Sequence, residues 1–371
     1  MSTTKIRFGT ALLGVIALTV AACNQGGEAS PWRTATSAAS QGGMSALEAA
    51  AKAEGKLNTI ALPPDWANYG EVISAFSTKY GITVDSQQPD ANSQEEIDAA
   101  NNTKGTDRAP DVFDLGAGVA LANTALFAPY QVSAWADIPA NLKESTGLWV
   151  SDYTGFMSIG CDTATVELPA TVADLLDPKY EGMIALNGDP TTSGAGFNGV
   201  VMAALANGGS ASDISAGVDF FEQLNEAGNL LPVDPSPATI ASGQTPCVID
   251  WEYTNAAQGI GRTDDVVWET VIPSDAPPVA SYYIQAINKD APHPAAARLW
   301  EEFLFSPEGQ NLWLKGFARP VLQEKLIADG TINQEYLEAL APAQGTPVVL
   351  TQEELTAAQT YVSENWNITI Q

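Results

Sequence analysis

Between residues 55 and 118 strand-sized apolar runs alternate with helix-sized amphipathic runs, and the alternation returns between 183 and 253. In the first stretch an Ala-rich helix over 45–54 (SALEAAAKAE) stops at Gly55, and a strand over 57–62 (LNTIAL) follows. A loop over 63–70 (PPDWANYG) leads to a helix over 71–79, a strand at 82–84 and a helix over 95–101. A strand over 111–115 (DVFDL) then runs into a Gly-Ala-Gly turn that opens a further helix. The second stretch places a strand over 183–187 (MIALN), a turn over 188–194 (GDPTTSG) and a helix running to 207. A helix over 218–225 and a buried strand over 247–250, ending in Trp251-Glu252-Tyr253, complete it. Residues 155–160 and 281–288 read as extended, and 294–305 and 307–316 as successive helices. Strands joined by helices of these lengths predict an α/β architecture, mostly parallel sheets flanked by helices. At roughly 150 residues per domain, the 371 residues make two such units. Ligands of such sheets collect at the carboxyl ends of the strands.

Charge removes several functions. The chain has 16 Lys+Arg against 44 Asp+Glu, a net −28. Binding nucleic acid needs a basic footprint to displace counterions from phosphates, so no nucleic-acid partner is expected. Docking on anionic lipid through a basic patch is disfavoured for the same reason. His293 is the sole histidine, so neither a His-rich metal site nor a pair of catalytic imidazoles can be assembled. Thr192-Ser193-Gly194 lacks the frame of a Gly-x-Ser-x-Gly elbow. The chain reads as a binder and not an enzyme, with no cofactor and no metal. An exported hydrolase run by two carboxylates is the alternative from another class.

Lys5 and Arg7 precede an apolar stretch over 8–20, the pattern of a signal-peptide core. It is shorter than the ~20 apolar residues of a membrane span. The stretch ends Val20-Ala21-Ala22-Cys23, which resembles the lipobox of bacterial lipoproteins. A signal peptide over 1–22, a lipidated Cys23 and a flexible tether over 23–44 follow from that likeness. The membrane is then touched through the lipid anchor alone, and the folded part works outside the cytoplasmic membrane. Cys161 and Cys247 either pair in that oxidising compartment or serve as buried small residues on strands.

Several strings occur together: LLDPKYEG over 175–182, ALNGDPTTSGAG over 185–196 and AINKDAPHP over 286–294. WEEFLFSPEGQ over 300–310 and GFARPV over 316–321 complete the set. From about residue 55 to 371 the chain resembles the extracytoplasmic solute-binding proteins of ABC importers. The branch is the one that groups iron(III), thiamine and polyamine binders. The resemblance implies a two-lobed fold, with lobe 1 over 45–152 plus 281–316 and lobe 2 over 153–280 plus 317–371. It further implies a hinge crossed several times, a small-molecule ligand buried by closure, and a permease that receives it from a monomeric binder. His293, between two prolines, marks a turn before a helix.

Strand ends and hinge crossings bring the carboxylates Asp65, Asp114, Asp152, Asp189, Asp250 and Glu252 to the expected cleft. The aromatics Trp66, Tyr69, Tyr153, Trp251 and Tyr253 come with them, as does Ser193. Tyr282 and Tyr283 alternate along an extended segment, so one of them faces the cleft, and Tyr282 is the candidate. Carboxylates among aromatic faces suit an organic ammonium, through charge-assisted hydrogen bonds and cation–π contact. A polyamine or another small organic cation is therefore the expected ligand. Asp114 and Asp189 have a second reading as helix caps or turn formers. Of Asp250 and Glu252, one is expected on the ligand and the other on a neighbouring loop. Ferric iron is the alternative within the resemblance. Ferric binders carry adjacent tyrosines where this chain reads Asp250-Trp251-Glu252-Tyr253, with a single tyrosine.

Overall fold

The computed structural model describes residue 1 and residues 30–370, apart from 261, 263 and 264. Cys23 and, apart from residue 1, the stretch read as a signal peptide lie outside the described residues. Strands β1 (Lys56–Ile60) and β2 (Thr83–Gln87) pair in parallel across the helix Tyr69–Tyr80, as the alternation predicts. Next to β1 lies β3 (Val112–Leu115), tied at its start where the Asn58 N–H donates to the Asp111 carboxylate at 2.7 Å. The remaining strands are β4 (Phe127–Ala128), β5 (Val150–Asp162), β6 (Ile184–Leu186), β7 (Cys247–Trp251), β8 (Trp268–Val271), β9 (Ala280–Asn288) and β10 (Arg319–Pro320). They form one sheet in the order β3-β9-β5-β7-β6, with β4 on β9 and both β8 and β10 on β5.

The α/β class stands, but among the named strands parallel pairing is confined to β1–β2 and β6–β7. The other ladders are antiparallel, with β9 pairing to β3 and β5, and β5 pairing to β7, β8 and β9. Every residue of β5 is buried, its first half beside β9 and its second beside β7 and β8. Cys161 and Cys247 are register partners across β5 and β7, with Cα atoms 4.1 Å apart, and they form a disulfide.

One expectation fails near the start. The stretch read as a tether is packed from Pro31 onward, with Trp32 and Ala35 buried. The Arg298 guanidinium donates to the carbonyls of Ala35 and Arg33 at 2.9 and 3.1 Å, fixing that segment on the helix Pro294–Leu304. His293 ends the turn before that helix, its Nδ1 2.8 Å from Asp111 Oδ2. Contact with Asp111 raises the imidazole pKa. The chain closes with the helix Gln352–Thr369, whose buried Trp366 packs edge-on against Phe221 at 5.3 Å. Among the described residues no helix is long and apolar enough to cross a membrane.

Candidate functional site

Two connected chambers lie between the lobes. The first, about 420 Å³, is lined by Asp90, Glu96, Asp114, Asp189 and Asp234, and by no lysine, arginine or histidine among the described residues. The second, about 480 Å³, has no charged side chain in its lining. Ser93, Thr192, Ser193, Gly194 and Tyr283 belong to both. Each volume falls in the range of roughly 300–1,000 Å³ typical of small-molecule sites.

Aromatic rings build the floor. Tyr153 and Tyr283 stack at 5.4 Å, while Trp66 meets Tyr253 and Tyr283 edge-on at 5.3 and 5.6 Å. Trp251 stacks on Tyr253 at 6.2 Å. A register shift in the β5–β9 ladder interrupts that pairing between Ser151 and Thr154, and Tyr153 is instead the register partner of Pro320 in β10. The Tyr153 ring is buried against Tyr283. Behind its ring Gly155 leaves room for Tyr253, since a Cβ there would meet the ring at 2.5 Å.

Asp114 is the centre of the polar network. Its Oδ2 accepts from the Tyr69 and Tyr153 hydroxyls at 2.6 and 3.0 Å, and the Trp66 indole N–H donates to the Tyr153 oxygen at 2.8 Å. Gln285 donates to the Tyr69 oxygen and to Asp152 Oδ2, both at 3.0 Å. The other carboxylate oxygen of Asp114 is buried without a partner, as are Trp251 Nε1 and the Tyr253 hydroxyl. Buried polar atoms are rarely left unpaired, so these three want a bound molecule or ordered water. Burial pushes the carboxyl pKa values of Asp114, Asp152 and Glu96 upward. Burial, with the Asp114 charge, raises the phenols of Tyr69 and Tyr153 as well.

Of the expected site residues, Trp66, Asp114, Asp189 and Ser193 line the first chamber and Ser193 and Trp251 the second, whereas Tyr69, Tyr153 and Tyr253 line neither and are fully buried against the lining rings. Ser193 caps the helix Gly194–Ala206 by accepting from the Gly196 N–H, and Asp189 forms a turn by accepting from the Thr191 N–H. The turn-former reading therefore suits Asp189 and fails for Asp114, which caps no helix. Asp65 is exposed and lines neither chamber. Asp152 sits beneath the floor.

Asp250 and Glu252 both brace neighbours, which corrects the expectation that one of them reaches the ligand. Asp250 accepts from the Asn187 side chain and the Trp251 N–H, each at 2.7 Å, and burial pushes its pKa up to about 7. A helix, Glu252–Gln258, begins directly after β7 and turns Glu252 toward Arg319, which it holds at 2.6 and 3.1 Å. Tyr283 lines both chambers, and Tyr282 instead lines a third cavity, about 350 Å³, that shares Ala117, Asn198, Ser281 and Leu355 with the second chamber. Glu96 was not foreseen, although it shares a helix face with the buried Ile97 and Ala100.

Residues 109–340 match the family described as bacterial extracellular solute-binding protein. No curated protein matches the chain. Among solved structures, the periplasmic binding protein AfuA from Actinobacillus pleuropneumoniae, with fructose-6-phosphate bound, is 17% identical with a TM-score of 0.62, over 85% of this chain and 99% of that one. The ferric binding protein from Campylobacter jejuni is 16% identical with a TM-score of 0.62, over 84% and 99%. AgtB from A. tumefacien, in complex with agropinic acid, is 14% identical with a TM-score of 0.64, over 85% and 98%. At these identities the likeness concerns the two-lobed fold and not the ligand.

Proposed function

The chain belongs to the family of bacterial extracellular solute-binding proteins, and from that premise we propose that its cleft captures a small organic cation for an ABC importer. The observation that carries this reading is the acidic chamber. Glu96 and Asp114 are buried in it, Asp90, Asp189 and Asp234 stand at its exposed rim, and no basic side chain among the described residues offsets them. An ammonium group there would pair with the free oxygen of Asp114 and lie against the faces of Trp66 and Tyr283. A phosphate or sugar phosphate would meet carboxylates, which outweigh the helix start at Gly194 as an anion site. Ferric iron would need several phenolates, whereas the Tyr69 and Tyr153 hydroxyls are engaged as hydrogen-bond donors to Asp114.

In this reading the lobes are 45–152 with 281–316 and 153–280 with 317–371, so that β5 and β9 are hinge crossings. Cys23 is the lipidated residue, on the strength of Val20-Ala21-Ala22-Cys23, and the folded chain is a monomeric binder held to the membrane by that anchor. A thermal-shift panel of polyamines, other alkylamines, thiamine, ferric citrate and fructose-6-phosphate tests the ligand class. A cognate amine at 100 times its Kd should stabilise the fold by about 2.7 kcal/mol, and ferric citrate should not. A visible tyrosinate-to-iron absorption band, or a shift confined to the anion, would overturn the cationic reading.

A further inference from the structure

The second chamber narrows the ligand. It joins the acidic one at Ser193 and Tyr283, so a solute seated by an ammonium at Asp114 extends into it. Its walls offer hydrogen bonds without charge. Trp251 Nε1 is buried there with no partner, and Asn198 is nearly buried, with its amide N–H₂ donating to the Gly194 carbonyl. The outer wall is the helix Gln352–Thr369, which presents Thr356, Gln359 and Ser363 to the chamber.

That helix is well anchored. Ala358, Val362 and Trp366 bury its other face, and Thr351 and Glu354 cap its start reciprocally. The strand-like approach to it is pinned at the beginning of β9, where the Ala280 N–H donates to the Val348 carbonyl at 2.9 Å. Gln359 reaches from this helix to the short helix Ala117–Ala122 that follows β3. A Cβ on Gly118 would overlap its amide, so the two stand in close contact. Among the described residues the Gln359 amide has no hydrogen-bond partner within the protein.

We infer that the cleft is built for a solute with one cationic end and one uncharged, hydrogen-bonding end, and that Gln359 is the specificity-determining residue for the uncharged end. This rests on the cationic reading of the acidic chamber. A second ammonium in the outer chamber would be desolvated with no carboxylate to pair with, whereas a hydroxyl or amide would meet Trp251 and Gln359.

Two probes of matched length, 6-amino-1-hexanol and 1,6-diaminohexane, separate the possibilities by calorimetric titration of the whole chain. The amino alcohol should bind more tightly by about tenfold or more. Gln359→Leu should narrow that preference about threefold to tenfold, the worth of one neutral hydrogen bond. Glu353→Gln, on the exposed start of the same helix, should leave it unchanged. Melting temperatures of the variants check that the fold is intact, and the ratio of the two affinities is a quantity that general loosening would not move. Equal or tighter binding of the diamine would overturn the inference and leave the cationic reading standing. Binding of neither probe would sink both. A preference that survives Gln359→Leu in full would remove Gln359 from the role.

Discussion

Asparagine at position 114 should weaken binding of a cationic solute by about 2–5 kcal/mol, the cost of removing one partner of a charge pair in a closed site. The substitution keeps an oxygen to accept from Tyr69 and Tyr153 and removes the charge, so folding should survive it. At neutral pH the variant should melt at least as high as the parent, because a costly buried ionisation is gone. The pH dependence follows from the same physics. Asp114, Asp152, Glu96 and Asp250 all have folded-state pKa values raised by burial, that of Asp250 to about 7. The folded chain therefore holds protons that the unfolded chain releases near pH 4. As pH climbs from about 4 through 7 those protons are withdrawn, and stability falls. The unliganded protein should melt higher at pH 5 than at pH 8, and a bound cation should reduce the difference by favouring the ionised Asp114. Scanning calorimetry at both pH values, with and without the amine, reads this out. A parent whose melting temperature rises over that range would contradict the assignment of these carboxyls as buried without a cationic partner.

The disulfide should carry the second large effect. Cys161 and Cys247 are fully buried and 86 residues apart, and the bond ties β5 to β7 beneath the cleft. Replacing both with alanine should cost about 2–5 kcal/mol, chiefly by releasing the unfolded chain from a long loop constraint. A lower urea midpoint with unchanged solute affinity is expected, since neither residue lines a chamber. An unchanged midpoint would mean that the two cysteines act as small buried side chains.

Much of the site was legible because loops at strand ends announce themselves. Trp66 follows β1, Asp114 and Trp251 lie at the ends of β3 and β7, and the fold brings the rings of Trp66, Tyr69, Tyr153, Trp251 and Tyr253 together. Their mutual geometry was not legible. Period-two alternation places Tyr282 and Tyr283 on opposite faces, but which face meets the cleft depends on pairing of β9 with β3 and β5. The roles of Asp250 and Glu252 turn on Asn187 and Arg319, 63 and 67 residues away, and strand periodicity says nothing of such partners. Local pattern likewise predicts parallel crossovers from alternating helices and strands. It cannot reveal that β5, 13 residues long, makes antiparallel pairs with β7, β8 and β9. That Gln359, on the last helix, walls the cleft is likewise a tertiary fact.

Native mass spectrometry of the protein, released from cell envelopes without denaturation, tests the central claim most directly by weighing whatever the cleft retains. A single small organic species that is cationic at neutral pH, lost in the Asp114→Asn variant, is the predicted result. A retained ferric ion or phosphorylated sugar, kept equally by parent and variant, would contradict it.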